Sequence, residues 1–284
     1  MTSCMIIGGF ESSTIRIAQS LCVCFAGCTV IPYQEWILWS RDEMRSRVQD
    51  ANNVILLSTI QDASPKRTVP MNEIIEWLDD VYCAGNVYPT RKAIEWIQSK
   101  IYCLSLKHVL LPTTEWHESL KDVLESELVK GAYGEELIEL HFKPTWQSNG
   151  RGHSDSSIDV PSKLRYKDWI VRKASTVFKS GRALIAQAVV YPFIETKRIV
   201  TSRDDPDPIA QHVWTAALLN DVTLEWFRLD TVLYNGRRYL NEIEITDASV
   251  KRQDEVHIVS AICLKHNWPE PTDKLGAVPT TRAR

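Results

Sequence analysis

Residues 227–244 constrain the fold more than any other part of the chain. Two apolar runs meet at Asn235-Gly236, a dipeptide that strongly favours the two-residue turn of a β-hairpin. The sequence therefore predicts a β-hairpin centred on this turn. With such a turn, Asp230 on the first strand lies opposite Asn241 on the second strand and diagonal to Glu242.

Three carboxylates lie on the predicted hairpin: Asp230 on the first strand, and Glu242 and Glu244 on the second. Side chains two positions apart on a strand share a face, so the two glutamates point the same way. Asp230 can reach them if a bulge or a twist adjusts the faces. Crowded carboxylates repel one another unless a cation lies between them, and Mg²⁺ prefers oxygen ligands. The segment predicts either a magnesium site or a surface hairpin with a solvated acidic face.

The size and charge of the chain exclude several classes of protein. The formal net charge of -3 gives no basic footprint for nucleic acid. No apolar run approaches the roughly 18 residues that span a bilayer, and the start of the chain lacks the features of a signal peptide. We therefore expect a cytoplasmic protein, and 284 residues allow one large core or two to three small cores.

The seven cysteines are odd in number and irregularly spaced. Cys22, Cys24 and Cys28 lie close together in the sequence, which raises the alternative of a metal cluster. No CxxC pair or suitably spaced histidine completes such a cluster. Because the three cysteines lie in an apolar run, buried free thiols in a reducing compartment are the favoured interpretation.

The first 84 residues alternate short apolar strands with an amphipathic helix. Strands at 5–7, 28–31 and 53–58 and a helix at 15–25 indicate a small parallel α/β domain. The Gly8-Gly9 turn before this helix could cradle a phosphate. However, the full G-x-G-x-x-G spacing and an acidic residue after the second strand are absent. A tight turn in a domain that binds no nucleotide is therefore favoured.

The predicted hairpin closely resembles the magnesium hairpin of the ATP-grasp superfamily. That pattern consists of Arg-x-Asp, a short turn and an apolar strand that ends in Asn-Glu-x-Asn. It stands here as Arg228-Leu-Asp230 and Asn241-Glu242-Ile-Glu244. Glu244 departs from the asparagine of many members, but some amino-acid ligases of the superfamily have glutamate there. The resemblance implies that the three carboxylates bind Mg²⁺ and that Arg228 is a catalytic residue that stabilises the γ-phosphoryl group.

Two lysines upstream match further parts of the same pattern. Residues 86–100 resemble its opening segment, in which a helix and a lysine at a helix start precede a strand that ends in Pro-x-Thr; Lys100 is the matching lysine. A strand at 136–144 carries Lys143 near its end, and a polar loop with Gly150 and Gly152 follows. The resemblance implies that both lysines contact nucleotide phosphates and that the glycine loop closes over ATP.

The strand at 183–190 resembles the strand that leads into the hinge of the superfamily. The matching positions, whose backbone would bind adenine, are Gln187, Ala188 and Val189. Glu195 is the candidate for the ribose hydroxyls, about one residue further along the chain than is common. Arg198 matches the arginine of a Glu-x-x-Arg strand, where it either holds an acidic or phosphorylated substrate as a catalytic residue or pairs with a surface group.

The resemblance covers residues from about 85 to 250 and implies an ATP-grasp fold of the α/β and α+β class. It implies an N-terminal Rossmann-like pre-ATP-grasp domain at 1–84 and an ATP-grasp region at 85–284. Within that region we expect a nucleotide-covering lobe around 115–190 and a metal-binding lobe at 191–265.

The activity that the resemblance implies is that of an ATP-dependent carboxylate–amine ligase. Such an enzyme uses ATP and Mg²⁺ and forms an amide or peptide bond through an acyl phosphate. The expected substrates are a small-molecule carboxylate and an amine, such as an amino acid or a peptide. The sequence leaves the oligomeric state open, a homodimer included.

Two other functions stay open at the level of the sequence. One is a divergent ATP-grasp phosphotransferase or a ligase that modifies a macromolecule. The other is a non-catalytic nucleotide-binding interaction protein. The intact carboxylate set argues against the latter, because unpaired buried carboxylates are costly.

Overall fold

The computed structural model contains three β-sheets. It describes residues 3–9, 11–66, 68–112, 114–134, 140–147, 154–155, 166–179, 183–188, 195–203, 205–246 and 250–269.

The N-terminal sheet has four parallel strands in the order β2-β1-β3-β4. The strands are β1 (Cys4–Ile7), β2 (Cys28–Ile31), β3 (Asn53–Leu56) and β4 (Val87–Tyr88). The helices among them are α1 (Ser12–Cys24), α2 (Tyr33–Trp36), α3 (Arg41–Asp50), α4 (Ile60–Ala63) and α5 (Met71–Val81). The predicted parallel α/β arrangement is confirmed. Short apolar strands of this kind form parallel sheets because helices cover both faces.

The Gly8 turn is closely packed. The Gly8 amide donates to the Ile31 carbonyl at 2.9 Å, and the Trp36 indole donates to the Gly8 carbonyl at 2.9 Å. A Cβ atom at Gly8 would lie 3.3 Å from the Ile31 carbonyl oxygen. These contacts support the interpretation as a tight turn.

The second sheet is antiparallel and has the order β5-β8-β6-β7. Two helices, α6 (Arg91–Gln98) and α7 (Tyr102–Ser105), precede it. Its strands are β5 (Thr114–His117), β6 (Leu140–Pro144), β7 (Ser154–Asp155) and β8 (Leu184–Ala188). The helices α8 (Leu120–Glu125), α9 (Glu127–Gly134) and α10 (Tyr166–Phe178) lie between these strands in the chain. A small apolar core of its own, which includes Leu140, Phe142 and Ala186, stabilises this part.

The third sheet is antiparallel, with the order β11-β10-β9. Its strands are β9 (Glu195–Ser202), β10 (Trp226–Tyr234) and β11 (Arg237–Glu244), and its helices are α11 (Pro208–Leu219) and α12 (Arg252–Lys265). The predicted hairpin is confirmed as β10 and β11. Asn235 and Gly236 have φ angles of 48° and 74°, the positive values that a two-residue turn of this type requires.

The third sheet and the N-terminal sheet share a hydrophobic core. Phe227 and Leu229 of β10 belong to the same buried cluster as Ile7 and Leu56 of the parallel sheet. Because side chains alternate along a strand, the residues between these apolar positions of β10 point to the other face. The charged side chains of the hairpin therefore lie on the face away from this core.

One local expectation is wrong. The resemblance implies a strand that ends in Pro112-Thr-Thr114, but the segment before Pro112 holds α7 and a single bridge from Leu110 to Leu240. Ser126 separates α8 from α9, and its hydroxyl caps α9 by accepting from the Val129 amide.

Cys22, Cys24 and Cys28 are free thiols that are only partly buried, and they pack at the margin of an apolar cluster. Among the described residues, no helix is long and apolar enough to cross a membrane.

Candidate active site

A β-bulge sets the register of the hairpin. Near the turn the strands pair as the sequence predicts, but the register shifts between Asp230 and Thr231. Asp230 therefore pairs with Glu242, and the prediction that it lies opposite Asn241 is wrong. Asn241 is the extra residue, which has no partner in the register.

The bulge places charged residues of three strands on one face of the sheet. Arg228 pairs with Glu244, two positions from the pair of Asp230 and Glu242. From the other side, Arg198 of β9 pairs with Asp230. Since paired residues of neighbouring strands share a face, Arg198, Asp230 and Glu242 form a row across the sheet.

Arg228 holds Asp230 with two hydrogen bonds. Its Nε and Nη2 atoms lie 2.8 and 2.9 Å from the two carboxylate oxygens. Burial disfavours the guanidinium charge, but Glu244 and Asp230 more than offset this and raise the pKa of Arg228. The Nε atom of Arg198 lies 3.7 Å from Asp230, and the side chain is 57% exposed, so this contact is weak.

Lys100 lies within the site although it is remote in sequence. Its Nζ atom is 2.5 Å from Oε1 of Glu242, and its side chain is 7% exposed. Burial opposes the charged form, yet the attraction of Glu242 and Glu244 raises the pKa of Lys100. Lys100 lies in the turn directly before Ile101, the N-cap residue of α7, as expected for a lysine at a helix start, and its φ angle is 55°.

Trp116 of β5 and Trp146, in the turn after β6, hold the turn that carries Lys100. The indole of Trp116 donates to the Ser99 carbonyl at 3.0 Å, and the backbone amide of Trp146 donates to the Gln98 carbonyl at 2.7 Å. These contacts fix the backbone directly before a lysine in the left-handed region, which only a packed environment stabilises.

Lys143 reaches the hairpin from β6. Its Nζ atom donates to Oδ1 of Asn241 at 3.1 Å. Burial lowers the pKa of Lys143, and the nearby charge of Lys100 acts in the same direction against the attraction of Glu242. The two lysines therefore share one site but have different partners.

Glu244 is a desolvated carboxylate of the hairpin. Burial raises its pKa well above the usual range, and the charge of Glu242 adds to this effect. The end of β11 also contacts the N-terminal sheet region, because the Thr246 hydroxyl lies 3.4 Å from Oδ2 of Asp62. The same Asp62 oxygen accepts from the Thr59 amide at 2.9 Å, so α4 is capped beside the charged face.

A cavity of about 410 Å³ lies between α7 and β5. Cys103 lines it, and burial raises the pKa of this thiol to about 12, against the effects of Lys100 and Lys143. A cavity of this size falls in the range of small-molecule sites.

The donor set fits Mg²⁺ only if the ion has other ligands as well. Within the described ranges, no three carboxylate, histidine or cysteine side chains converge on one metal-sized point. Asp230 already accepts hydrogen bonds from Arg228, and Glu242 already accepts one from Lys100. Mg²⁺ usually takes one or two carboxylates together with substrate phosphates and water, and the paired Asp230 and Glu242 meet that need. The assignment of Asp230, Glu242 and Glu244 as metal ligands stays a prediction.

The other predicted contacts to ATP lie partly beyond what the structure describes. Gly150, Gly152 and Val189 lie outside the described residues. Gln187 and Ala188 end β8, and Glu195 begins β9, but their side chains are not among those described. The roles of all six stay predictions.

Asn241 is the site residue that sequence reasoning missed. The alternation of side chains along the hairpin gave a signal for it. In a regular hairpin Asp230 and Glu242 lie on opposite faces, so they can share a face only if the second strand has one extra residue. Trp116 and Trp146 gave no comparable signal, since their contacts are to backbone atoms of another part of the chain.

Comparison with known proteins gives a likeness in structure alone. No family model matches the chain, and no curated protein matches it. The structure is similar to D-cycloserine synthetase DcsG, with 13% identity, 92% of this chain and 98% of that chain covered and a TM-score of 0.65. It is also similar to D-alanyl-alanine synthetase A from Vibrio cholerae, with 14% identity, coverage of 93% and 98% and a TM-score of 0.53.

A third similar structure is the ATP-grasp ligase PsnB complexed with a phosphomimetic variant of its minimal precursor, Mg and ADP. It has 14% identity, coverage of 93% and 97% and a TM-score of 0.55. Nearly the whole length of each protein takes part in these matches, so the likeness concerns the complete arrangement of sheets. This chain has the ATP-grasp fold.

Proposed function

We propose that the protein is an ATP-dependent carboxylate–amine ligase that forms an amide or peptide bond through an acyl phosphate. The observation that carries this proposal is the cluster of Lys100, Lys143 and Arg228 around the paired carboxylates Asp230 and Glu242. The fold supports it, because two similar structures are synthetases and a third is an ATP-grasp ligase.

The charges of the site suit a triphosphate with a divalent cation. Bound at Asp230, Glu242 and Glu244, Mg²⁺ would supply positive charge that offsets that of the phosphates. Lys100 and Lys143 then bind phosphate oxygens. Because both lysines are largely shielded from water, their attraction to the anion is stronger than at an exposed surface.

Arg228 acts on the transferring group. A substrate carboxylate oxygen attacks the γ-phosphorus of ATP, the bond to the β-phosphate oxygen breaks, and an acyl phosphate and ADP result. The guanidinium of Arg228 is held in place by Asp230, so it stabilises the charge of the γ-phosphoryl group without reorganisation. An amine then attacks the acyl carbon, phosphate leaves, and the amine loses a proton to solvent.

The remaining predicted residues complete this proposal. The backbone at Gln187, Ala188 and Val189 binds adenine, Glu195 binds the ribose, and the loop with Gly150 and Gly152 keeps water from the acyl phosphate. Arg198 is exposed in the same row as Asp230, and there it holds an acidic group of the substrate.

A peptide acceptor is the second candidate, because the similar PsnB structure contains a precursor. A phosphotransferase, a ligase that modifies a macromolecule and a non-catalytic nucleotide-binding protein are the remaining functions that an experiment has to separate from ligation of small molecules.

Turnover measurements with full-length protein separate these functions. ATP and Mg²⁺ are supplied with panels of carboxylates, amino acids and short peptides, and ADP, phosphate and AMP are quantified. The expected result is equal formation of ADP and phosphate that requires both a carboxylate and an amine. Hydroxylamine replaces the amine and gives a hydroxamate. A phosphorylated product without phosphate release would indicate a phosphotransferase, and formation of AMP would overturn the proposal.

Thermal unfolding tests nucleotide binding independently of turnover. A ligand that binds only the folded state at 100 times its Kd adds about 2.7 kcal/mol to the free energy of unfolding. Mg-ATP should therefore raise the Tm. A raised Tm without turnover on any substrate would favour the non-catalytic nucleotide-binding protein.

A further inference from the structure

The two lysines of the site contact neighbouring residues that differ in charge. Lys100 contacts the carboxylate of Glu242 at 2.5 Å, whereas Lys143 contacts the side-chain amide of Asn241 at 3.1 Å. Asn241 and Glu242 are consecutive residues, yet one partner is neutral and the other is charged. The difference determines how much positive charge each lysine keeps for an anionic ligand.

The bulge makes this arrangement possible. Asn241 is the extra residue of β11, so its backbone is released from the register between Asp230 and Thr231. Its side chain meets Lys143 of β6, 98 positions earlier in the chain. Among the described residues, no carboxylate lies within 4.0 Å of the Lys143 ammonium. Asn241 therefore orients Lys143 without neutralising it.

Lys100, in contrast to Lys143, contacts a charged partner. It is almost fully buried and forms an ion pair with Glu242, a predicted metal ligand. An anion beside Lys100 is also close to the negative charge of Glu242, which opposes its binding. A cation at Glu242 removes that opposition.

We propose that Asn241 is a positioning residue that keeps Lys143 available as a metal-independent anchor for the nucleotide phosphates, while Lys100 stays on Glu242 until a divalent cation takes that carboxylate. This inference rests on the proposed function. Its consequence is that the nucleotide binds in two stages, first to Lys143 and then, with the metal ion, to Lys100.

Binding of ADP in EDTA and in Mg²⁺, measured by calorimetry on the full-length protein, tests this order. Wild-type protein should bind ADP in both solutions. Lys143→Met should lose roughly tenfold or more of the affinity in EDTA, as expected for one charge-assisted contact. Lys100→Met should change the affinity in EDTA by less than about twofold and reduce it by roughly tenfold or more in Mg²⁺.

Asn241→Asp is the decisive variant, because it keeps the shape of the side chain and adds the charge that would neutralise Lys143. It should weaken ADP binding in EDTA by roughly tenfold or more. Asn241→Leu removes the acceptor without adding charge, so it should weaken binding to the same degree in both solutions. Asn52→Asp, at an exposed position directly before β3, is the control for added charge and should leave both affinities unchanged.

Each other outcome overturns one of the two proposals. Two results in EDTA would overturn the role of Asn241. One is equal ADP affinity of Asn241→Asp and wild type, and the other is equal losses of affinity in Lys100→Met and Lys143→Met. Binding of ADP by wild type only in Mg²⁺ would do the same and leave the proposed function standing. If neither ADP nor ATP binds in EDTA or in Mg²⁺, the proposed function itself is overturned. If Asn241→Asp fails to fold, the comparison of the two lysine variants decides.

Discussion

The N-terminal parallel sheet and the three-stranded sheet both bury their central strands, but with opposite chemistry. In the parallel sheet, Ile6 and Ile55 face one apolar cluster, while Ile7 and Leu56 face another, and all four are at most 1% exposed. In the three-stranded sheet, one face joins the apolar core, and the other carries buried charge, with Arg228 only 6% exposed.

This difference indicates where the protein gives up stability for function. Burial of aliphatic side chains stabilises a fold in proportion to the area removed from water. Burial of paired charges is often neutral or unfavourable compared with apolar side chains of similar size. We therefore expect substitutions on the charged face to impair activity whatever their effect on stability, and substitutions in the parallel sheet to reduce stability and leave activity unchanged.

The largest expected effect is that of Glu242→Gln, which should abolish ATP turnover. Glutamine keeps the shape and can still accept from Lys100, but it lacks the charge proposed to hold Mg²⁺. The fold should persist, because loss of the ion pair with Lys100 is opposed by relief of the repulsion that Glu244 experiences. ADP release and the Tm are measured together.

Glu255→Gln is the matched control. Glu255 of α12 is also a shielded carboxylate, and it forms an ion pair with Arg16 of α1. It should lower the Tm and leave turnover unchanged. Full turnover in Glu242→Gln would exclude the hairpin as the catalytic site.

Arg228→Met should lower kcat by roughly 10²-fold or more, the effect of losing one preorganised charge donor. The affinity for ATP should change little, because the proposed contact strengthens in the transition state. Steady-state rates and directly measured nucleotide affinity distinguish the two quantities. Arg238→Met, on the same hairpin but nearer the turn, should behave like wild type. A wild-type kcat in Arg228→Met would refute the proposed mechanism at its centre.

The hairpin could be predicted from the sequence because its information is local. Asn235-Gly236 fixes the turn, and the alternation of charged and apolar residues fixes the faces. The exact register could not be read, since a bulge moves Asp230 from Asn241 to Glu242, and pairing rules assume a regular ladder.

The rest of the site depends on contacts between distant parts of the chain. Lys100 meets Glu242 across 142 positions, and Lys143 meets Asn241 across 98 positions. No periodicity or turn signal encodes such contacts. Only the resemblance to ATP-grasp proteins predicted that both lysines belong to the site. The ATP-grasp fold is confirmed, whereas the domain boundaries at 84, 190 and 265 stay predictions.

A smaller effect is expected in the parallel sheet, from Ile55→Val. Ile55 is fully buried, and loss of one methylene from such a position costs roughly 0.5–1.5 kcal/mol of the free energy of unfolding. Urea denaturation measures this loss, and kcat and KM for ATP should equal those of wild type. A fall in kcat comparable to that of Arg228→Met would break the comparison, because it would show that the apolar sheet also sets the chemistry.

The smallest effect concerns a single buried polar atom beside the parallel sheet. His266 contacts the edge of Tyr88 on β4 and stacks on Trp268, with ring centroids 6.0 and 4.9 Å apart. Its Nε2 atom is buried and has no hydrogen-bond partner among the described residues. Burial, with the nearby charge of Lys265, lowers the pKa of His266.

This lowered pKa gives a pH dependence whose direction is fixed. The unfolded chain takes up the proton near pH 6.5, and the folded protein takes it up only at lower pH, so the unfolded state binds more protons as the pH falls. Stability should therefore decline from pH 7.5 to 5.5, by about a few tenths of a kcal/mol from this partly buried group. In urea denaturation, the free energy of unfolding of His266→Phe should fall less between pH 7.5 and 5.5 than that of wild type, because phenylalanine keeps an aromatic ring but cannot be protonated. His257→Phe, at an exposed position of α12, should follow wild type. An equal decline in His266→Phe would show that other groups cause it, and that this histidine costs the parallel sheet no stability.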